Sequence, residues 1–367
     1  MMKSEIALMQ RSFWLAEKGK GKTSPNPMVG AVIVKNGEIV GEGYHQGFGL
    51  PHAEIEALKM AGERAHDSDL YINLEPCCHY GKTPPCTKAI TAAGIKKVIV
   101  SVLDPNPQVN GKGIGELKEA GIFAEVGILE KQGRQLNEVF FKWMTQSLPF
   151  TILKAAITLD GKTAAGGGDS KWITGEKARA KAREMRGWYD AVLVGINTVL
   201  KDDPLLTCRT SEFKNPIRIV LDSYLRISED SALMKSLKEA PVWIATGSGD
   251  DEKIKKIEAS GADVVRLPMK EGRIDLAALY QFLSSRQISS LFVEGGSKVF
   301  GAFLREKRID KILLFMAPKL LGGAGGKGMI EGWGADSLSA AVKLKDWEVS
   351  SIDMDLLIQG YPEFSIS

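Results

Sequence analysis

The sequence predicts an α/β protein built as two domains, residues 1–147 and 148–367. At 367 residues the chain is too long for one compact core and fits two. Apolar runs of strand length alternate with amphipathic stretches of helical period. That alternation pauses at Ser147-Leu148-Pro149, a plausible hinge, and then restarts.

Residues 5–18 carry Ile6, Met9, Phe13 and Ala16 on one stripe, the spacing of an amphipathic helix. Met28 to Val34 and Glu38 to Tyr44 read as paired strands, because Lys35-Asn36-Gly37-Glu38 holds the Asn-Gly of a tight hairpin. Helices are expected over 53–61, 87–93 and 114–120, and strands over 70–73, 97–102 and 123–126. A single helix is expected over 131–146. In the second half, strands are expected at 151–158, 191–195, 217–222, 242–246, 290–294 and 311–317. Helices are expected near 176–186, 275–286 and 298–306, and 348–359 would form one or two closing strands. The Gly-rich pieces 166–168 and 322–328 read as local loops, and no internal repeat is visible.

Composition narrows the classes. With 44% hydrophobic and 25% charged residues the chain has an ordinary globular make-up. Its 48 basic and 45 acidic residues give a net charge of +3 without any basic stripe, so no nucleic-acid partner is expected. No apolar window is long enough for a membrane span, and Lys3 and Glu5 interrupt any secretory apolar region. Three of the four cysteines crowd into positions 77–86, with Cys208 alone. Such clustering favours a metal over disulfides and a reducing cytoplasm as the setting.

The organising stretch runs from His52 to Cys86: His52-Ala53-Glu54, then Glu75-Pro76-Cys77-Cys78-His79-Tyr80-Gly81-Lys82-Thr83-Pro84-Pro85-Cys86. Three N/S ligands with a fourth position left open suit a catalytic Zn2+, which lowers the pKa of bound water to roughly 7. On a regular helix, residues two apart diverge by about 200°. Pro51 instead suggests that His52 precedes the first turn, so that its ring can lie beside Glu54. Pro84-Pro85 likewise places Cys86 at a helix start, where free amides favour a thiolate. Cys78 and His79 compete as ligands, but neighbours seldom reach one metal together, so Cys77 with Cys86 is preferred. His79 and Lys82 would suit an anion such as a phosphate, or else belong to an exposed polar loop.

The H-x-E and P-C pattern is the signature of zinc-dependent nucleobase and nucleotide deaminases, with the Glu a proton carrier. Pro25-Asn26-Pro27-x-Val29-Gly30, Gly41-Glu42-Gly43-Tyr44-His45 and the long Cys77 to Cys86 interval with its Gly-Lys-Thr-Pro-Pro resemble more specifically the bifunctional deaminase–reductases of riboflavin biosynthesis. The resemblance implies a cytidine-deaminase-like three-layer domain with His52, Cys77 and Cys86 on zinc and Glu54 catalytic. It also implies that Asn26, His45, His79 and Lys82 hold the pyrimidine ribose phosphate. Cys78 stands where relatives often carry Ser.

The second half has no G-x-G-x-x-G after its first strand. It does have Leu291-Phe292-Val293-Glu294-Gly295-Gly296-Ser297-Lys298, an apolar strand ending in a Gly pair that opens a helix, which is either a phosphate-facing turn or a plain one. Lys154 interrupts an apolar strand, as a snorkelling side chain or a charge aimed at a ligand. Leu159-Asp160-Gly161-Lys162, Ser170-x-Trp172-Ile173-Thr174, Gly195-x-x-Thr198-Val199-Leu200-x-Asp202-Asp203-Pro204-x-Leu206-Thr207 and Val293-Glu294-Gly295-Gly296 extend the resemblance over nearly the whole chain. It implies a dihydrofolate-reductase-like domain that binds NADPH through Ala156, Trp172, Thr198, Asp202 and the run Gly296, Ser297, Lys298, Val299, Phe300, Gly301 and Ala302. Lys154, Ser170, Arg186, Leu206, Arg209 and Glu294 would hold the substrate, the two arginines suiting its phosphate. The family also implies a homo-dimer or tetramer. Two rival readings are a polynucleotide deaminase, disfavoured by the balanced charge, and a structural zinc module fused to a single-function reductase. The second requires a closed site with Cys78 or His79 as fourth ligand.

Overall fold

The computed structural model describes residues 4–81, 84–323 and 325–364. The chain divides into two compact units, Met1–Ser147 and Leu148–Ser367. Both are α/β, as the pattern of runs predicts.

In the first unit the strands are β1 (Gly30–Lys35), β2 (Glu38–Tyr44), β3 (Asp69–Leu74), β4 (Lys97–Val102) and β5 (Phe123–Val126), in spatial order β2-β1-β3-β4-β5. β1 runs antiparallel to β2 and β3, while β3, β4 and β5 are parallel. The helices are α1 (Glu5–Glu17), α2 (Ala53–Ala61), α3 (Cys86–Ala92), α4 (Lys112–Glu119), α5 (Glu130–Leu136) and α6 (Glu138–Gln146). Strand alternation decides the layers. Ala31 and Ile33 meet Ala57 of α2, Ile90 of α3 and Leu117 of α4, whereas Val32 and Val34 meet Leu8 and Leu15 of α1 on the other face. The sheet is therefore sandwiched between helices.

The expected single helix over 131–146 is two. It breaks at Asn137 (φ −110°, ψ 26°), whose amide is engaged with the backbone of Met28. Its Oδ1 accepts from the Met28 N–H at 2.8 Å and its Nδ2 donates to the Met28 carbonyl at 2.9 Å. That tertiary pairing outweighs continuation of the helix.

In the second unit the strands are β6 (Phe150–Thr158), β7 (Lys162–Ala164), β8 (Ala191–Gly195), β9 (Ile217–Leu221), β10 (Val242–Thr246), β11 (Asp263–Arg266), β12 (Met269–Lys270), β13 (Arg273–Ile274), β14 (Ser290–Gly295), β15 (Lys311–Ala317), β16 (Lys327–Gly328), β17 (Lys343–Ile352) and β18 (Asp355–Glu363). The helices are α7 (Glu176–Arg186), α8 (Ile196–Asp202), α9 (Ala232–Lys235), α10 (Asp251–Ala259), α11 (Leu276–Ser285) and α12 (Ser297–Arg305). The main sheet is ordered β11-β10-β9-β8-β14-β6-β15-β18-β17. It is parallel from β11 to β15 and closes with the antiparallel β18 and β17. The closing segment is thus a full hairpin, longer than the expected 348–359. Leu279 and Leu283 of α11 and Phe300 and Phe303 of α12 pack on Leu153, Leu193, Ile219 and Val293.

Candidate active sites

In the first unit His52 is the N-cap of α2, in extended backbone (φ −74°, ψ 162°), so its ring turns toward Glu54 rather than away. Cys86 is the first residue of α3, capped by Pro85. His52 Nδ1 lies 3.6 Å from Cys77 Sγ and 3.3 Å from Cys86 Sγ, and the three ligand atoms all fall within 4.8 Å of one another. Ligands held about 2.0–2.3 Å from a tetrahedral zinc sit at such separations. The Cys86 amide donates to Cys77 Sγ at 3.4 Å, the support expected where a helix starts. Hydrogen bonds from Cys86 and His52 bring the Cys77 thiol down to about 4, and that thiolate in turn pushes Cys86 up. Cys78 donates instead to the Gln108 carbonyl at 3.6 Å. Among the described residues the cluster is His52, Cys77 and Cys86 alone, with no fourth protein ligand.

Glu54 is 3% exposed, and burial together with the nearby Cys77 thiolate raises its carboxyl to about 7. His45 is 2% exposed and stands edge-on to His52 with ring centroids 5.4 Å apart. Its Nδ1 lies 3.1 Å from the Pro51 carbonyl, which can only accept, so Nδ1 carries the proton. Nε2 then accepts from Asn26 Nδ2 at 3.2 Å, and burial lowers the ring's pKa. A neutral histidine and an oriented amide thus flank the ligand cluster. His79 Nδ1 is buried with no partner among the described residues, as a ligand-facing group would be. Lys82 lies outside the described residues.

Sequence reasoning missed Asp104. It follows β4, is buried, and is raised to about 7 by that burial despite a hydrogen bond from the Asn106 amide, with Glu75 and Cys77 adding to the rise. Glu75 fixes the loop, accepting from the amides of Asp104 (3.2 Å), Gly111 (3.0 Å) and Ile114 (3.1 Å). The Asp104-Pro105-Asn106 string after a strand end was the available signal.

In the second unit a cavity of about 1120 Å³ opens across the C-terminal ends of β6, β8, β9 and β14, where open α/β sheets bind ligands. Lys154, Ala156, Ser170, Trp172, Arg186, Thr198, Asp202, Leu206, Arg209, Glu294, Gly296, Ser297, Lys298, Val299, Phe300 and Ala302 all line it. Gly301 does not. A Cβ there would meet the Glu331 carbonyl at 2.0 Å, so this glycine serves close packing rather than the cavity.

Lys154 is a charge aimed at a carboxylate. Its Nζ lies 3.5 Å from Glu294, which Arg186 also grips through both oxygens. Burial alone would raise Glu294, but the two cations outweigh it and the carboxylate falls below its ordinary range, while burial lowers Lys154. Arg186 also donates to the Thr207 carbonyl at 3.1 Å, so its guanidinium is committed to protein partners rather than poised for a phosphate. Gly296 takes φ +90° between β14 and α12, a conformation that favours glycine and presents backbone amides. Trp172 is 63% exposed, with the Arg179 guanidinium 4.5 Å over its ring.

The loop that carries Leu206 and Arg209 is held under tension. Asp203 (φ 42°), Leu206 (φ 57°) and Arg209 (φ 56°) are all left-handed. Arg218 on β9 is fully buried and pins this loop, donating to the Leu205 carbonyl at 3.1 Å. It also reaches Ser236 Oγ (2.6 Å), the Ser236 carbonyl (2.9 Å) and the Ala240 carbonyl.

Residues 2–102 match the cytidine and deoxycytidylate deaminase zinc-binding region, and residues 149–358 match the RibD C-terminal domain. A riboflavin biosynthesis protein RibD of Actinobacillus pleuropneumoniae is 43% identical over 355 residues, covering 97% of this chain and 94% of its own. The chain belongs to the RibD family. Among solved members of the RibD family, the Acinetobacter baumannii protein superposes with TM-score 0.87 at 36% identity, covering 99% of this chain and all (100%) of its own. A Thermotoga maritima protein superposes with TM-score 0.85 at 38% identity, covering 98% of each chain. It is described as a diaminohydroxyphosphoribosylaminopyrimidine deaminase/5-amino-6-(5-phosphoribosylamino)uracil reductase. As a RibD-family enzyme the chain pairs a zinc-binding deaminase domain with a reductase domain, and Zn2+ and NADPH are its cofactors. The described helices include none long and apolar enough to cross a membrane.

Proposed function

We propose that residues 1–147 deaminate 2,5-diamino-6-ribosylamino-4(3H)-pyrimidinone 5′-phosphate and that residues 148–367 reduce the ribosyl side chain of the product to ribityl. The observation that carries the reading is the buried Glu54 carboxyl beside three converging ligand atoms that no fourth protein ligand closes among the described residues. Held by His52, Cys77 and Cys86, Zn2+ supplies a Lewis acid that makes water a nucleophile near neutral pH. Glu54 takes a proton from the attacking water and returns it to the amino nitrogen that leaves as ammonia. Asn26 and the neutral His45 orient the pyrimidine, and His79 with Lys82 receives the ribose phosphate.

In the reductase step bound NADPH would be the hydride source for C1′, whose bond to the ring oxygen would open with uptake of a proton by that oxygen. Lys154 stands by the sugar, kept in place by Glu294, which Arg186 also holds through both oxygens. Ser170, Leu206 and Arg209 complete the substrate wall, and Ala156, Trp172, Thr198, Asp202 and the turn at Gly296 the cofactor wall. Positioning of this kind contributes about 7–11 kcal/mol to a near-attack geometry, so no cluster of strong acids and bases is required.

The enzyme works in the cytoplasm as a homo-dimer or tetramer. In support, Trp347, Val349, Met354 and Leu356 of the β17–β18 hairpin are exposed at the sheet edge, an apolar face that suits a second copy. Light scattering on the purified chain checks this. Glu54→Gln should abolish ammonia release yet leave NADPH oxidation intact on substrate already deaminated. Normal ammonia release by that variant would end the deaminase reading.

A further inference from the structure

Resting on the reading of residues 148–367 as an NADPH-dependent reductase, the cavity itself tells which way the cofactor lies. It crosses β6, β14, β8 and β9 in that spatial order. Neighbouring strands are about 4.8 Å apart, so β9, which Ser223 follows, lies about 14 Å across the sheet from β6, which carries Lys154. Reduction takes place at the end with Lys154 and Glu294, and the nicotinamide ring must lie there. The Gly296 turn at the start of α12 follows β14, between β6 and β8, where a pyrophosphate would cross. The adenosine half is left with the wall around Ser223.

That wall is completed by the β12–β13 hairpin. The Tyr224 hydroxyl donates to the Gly272 carbonyl at 3.2 Å, which fastens the hairpin beside the loop that follows β9. The next residue, Arg273, lines the cavity. Among the described residues its guanidinium has no ion-pair or hydrogen-bond partner. None of the carboxylates that line the cavity, Asp202, Asp203, Glu294 and Glu331, pairs with it among the described residues, and Glu294 is taken by Arg186 and Lys154; the hairpin's own Glu271, outside the lining, pairs with Arg305 at 3.7 Å. An uncommitted guanidinium at the adenosine end of a dinucleotide cavity is a receptor for a phosphate dianion. We propose that Arg273 binds the 2′-phosphate of NADPH and so sets the preference for NADPH over NADH.

The test uses the full zinc-loaded chain and calorimetric titration with adenosine 2′,5′-bisphosphate and with 5′-AMP. The wild-type protein should bind the bisphosphate about 10- to 100-fold more tightly, the effect of one charge-assisted phosphate contact. Arg273→Ala should erase most of that ratio, Arg273→Lys should keep part of it, and the NADPH-over-NADH ratio of kcat/KM should fall by the same factor. If Arg273→Ala weakens both nucleotides equally, the residue only supports the hairpin and the proposal fails. It fails equally if the variant keeps its preference. A wild-type chain that binds no NADPH at all would instead overturn the reductase reading on which it rests.

Discussion

Arg218 offers a test of what a buried cation does when no carboxylate hydrogen-bonds to it. Its guanidinium is bonded only to neutral oxygens, three of them the carbonyls of Leu205, Ser236 and Ala240. Arg218→Met keeps the length of the stem and removes every donor. The Leu205 and Ala240 carbonyls then lose their partner, at about 1–3 kcal/mol each, while the Ser236 carbonyl still accepts from the Glu239 amide at 2.9 Å. Removing a desolvated charge returns several kcal/mol, because burying one is expensive. That return offsets most of the two carbonyl losses, and the net destabilisation should be about 1–2 kcal/mol. Ser236 Oγ contributes little to the loss, since it also donates to the Ala232 carbonyl at 2.7 Å. Urea unfolding followed at the reductase transition measures the shift. Because Leu205 and Leu206 line the cavity, KM for the reductase substrate should rise while ammonia release is unchanged. A variant with wild-type midpoint and wild-type KM would refute the reasoning.

Three further outcomes are expected. Glu294 has its pKa depressed in the folded state, so its contribution is present above the unfolded value near 4.5 and lost as pH falls through the folded one. Glu294→Gln, which leaves two cations without their carboxylate, should therefore cost about 3–5 kcal/mol at neutral pH, with the gap to wild type narrowing below about pH 4 in denaturation curves. Dialysis against a chelator should lower the melting temperature of the first unit and stop ammonia release while NADPH oxidation on deaminated substrate continues, and added Zn2+ should restore both. Gly30→Ala should destabilise by about 1–3 kcal/mol or more in thermal melts, since overpacking has nowhere to relax. Its Cβ would meet the Ser12 carbonyl at 2.1 Å and the Ala16 amide at 2.7 Å.

The convergence of His52, Cys77 and Cys86 could be read from the sequence because prolines announce helix starts. Pro51 and Pro84-Pro85 located His52 and Cys86 at the first turns where both side chains can converge. The hairpin at Asn36-Gly37 was equally local, and Asn36 and Gly37 both take positive φ. What escaped were features set by distant contacts. The strand expected over 217–222 gave no sign that the arginine within it, Arg218, is fully buried, as it is in a parallel sheet. The helix over 131–146 looked continuous because nothing nearby announces that Asn137 is claimed by Met28. The stretch from Asp251 to Ile274 folds as α10, β11 and a short hairpin with few apolar residues to mark them, and Arg273 went unnoticed there. In Lys154 the sequence showed a charge without its partner, for Glu294 is 140 residues away along the chain.

The amide of Asn137 has a practical corollary for anyone dissecting the two activities. Met28 follows Asn26 by two positions, and its carbonyl is gripped from both sides, by Asn73 at 2.9 Å and by Asn137 at 2.9 Å. The final helices of the first unit therefore act as a clasp on the very peptide that delivers Asn26 to His45. A fragment trimmed back to the last strand at Val126 would still possess all three sulfur and imidazole donors, yet Asn73 alone would be left to hold the Met28 carbonyl. A cut beyond Gln146 keeps both hands of that buckle, with Asn137 seated between its two helices.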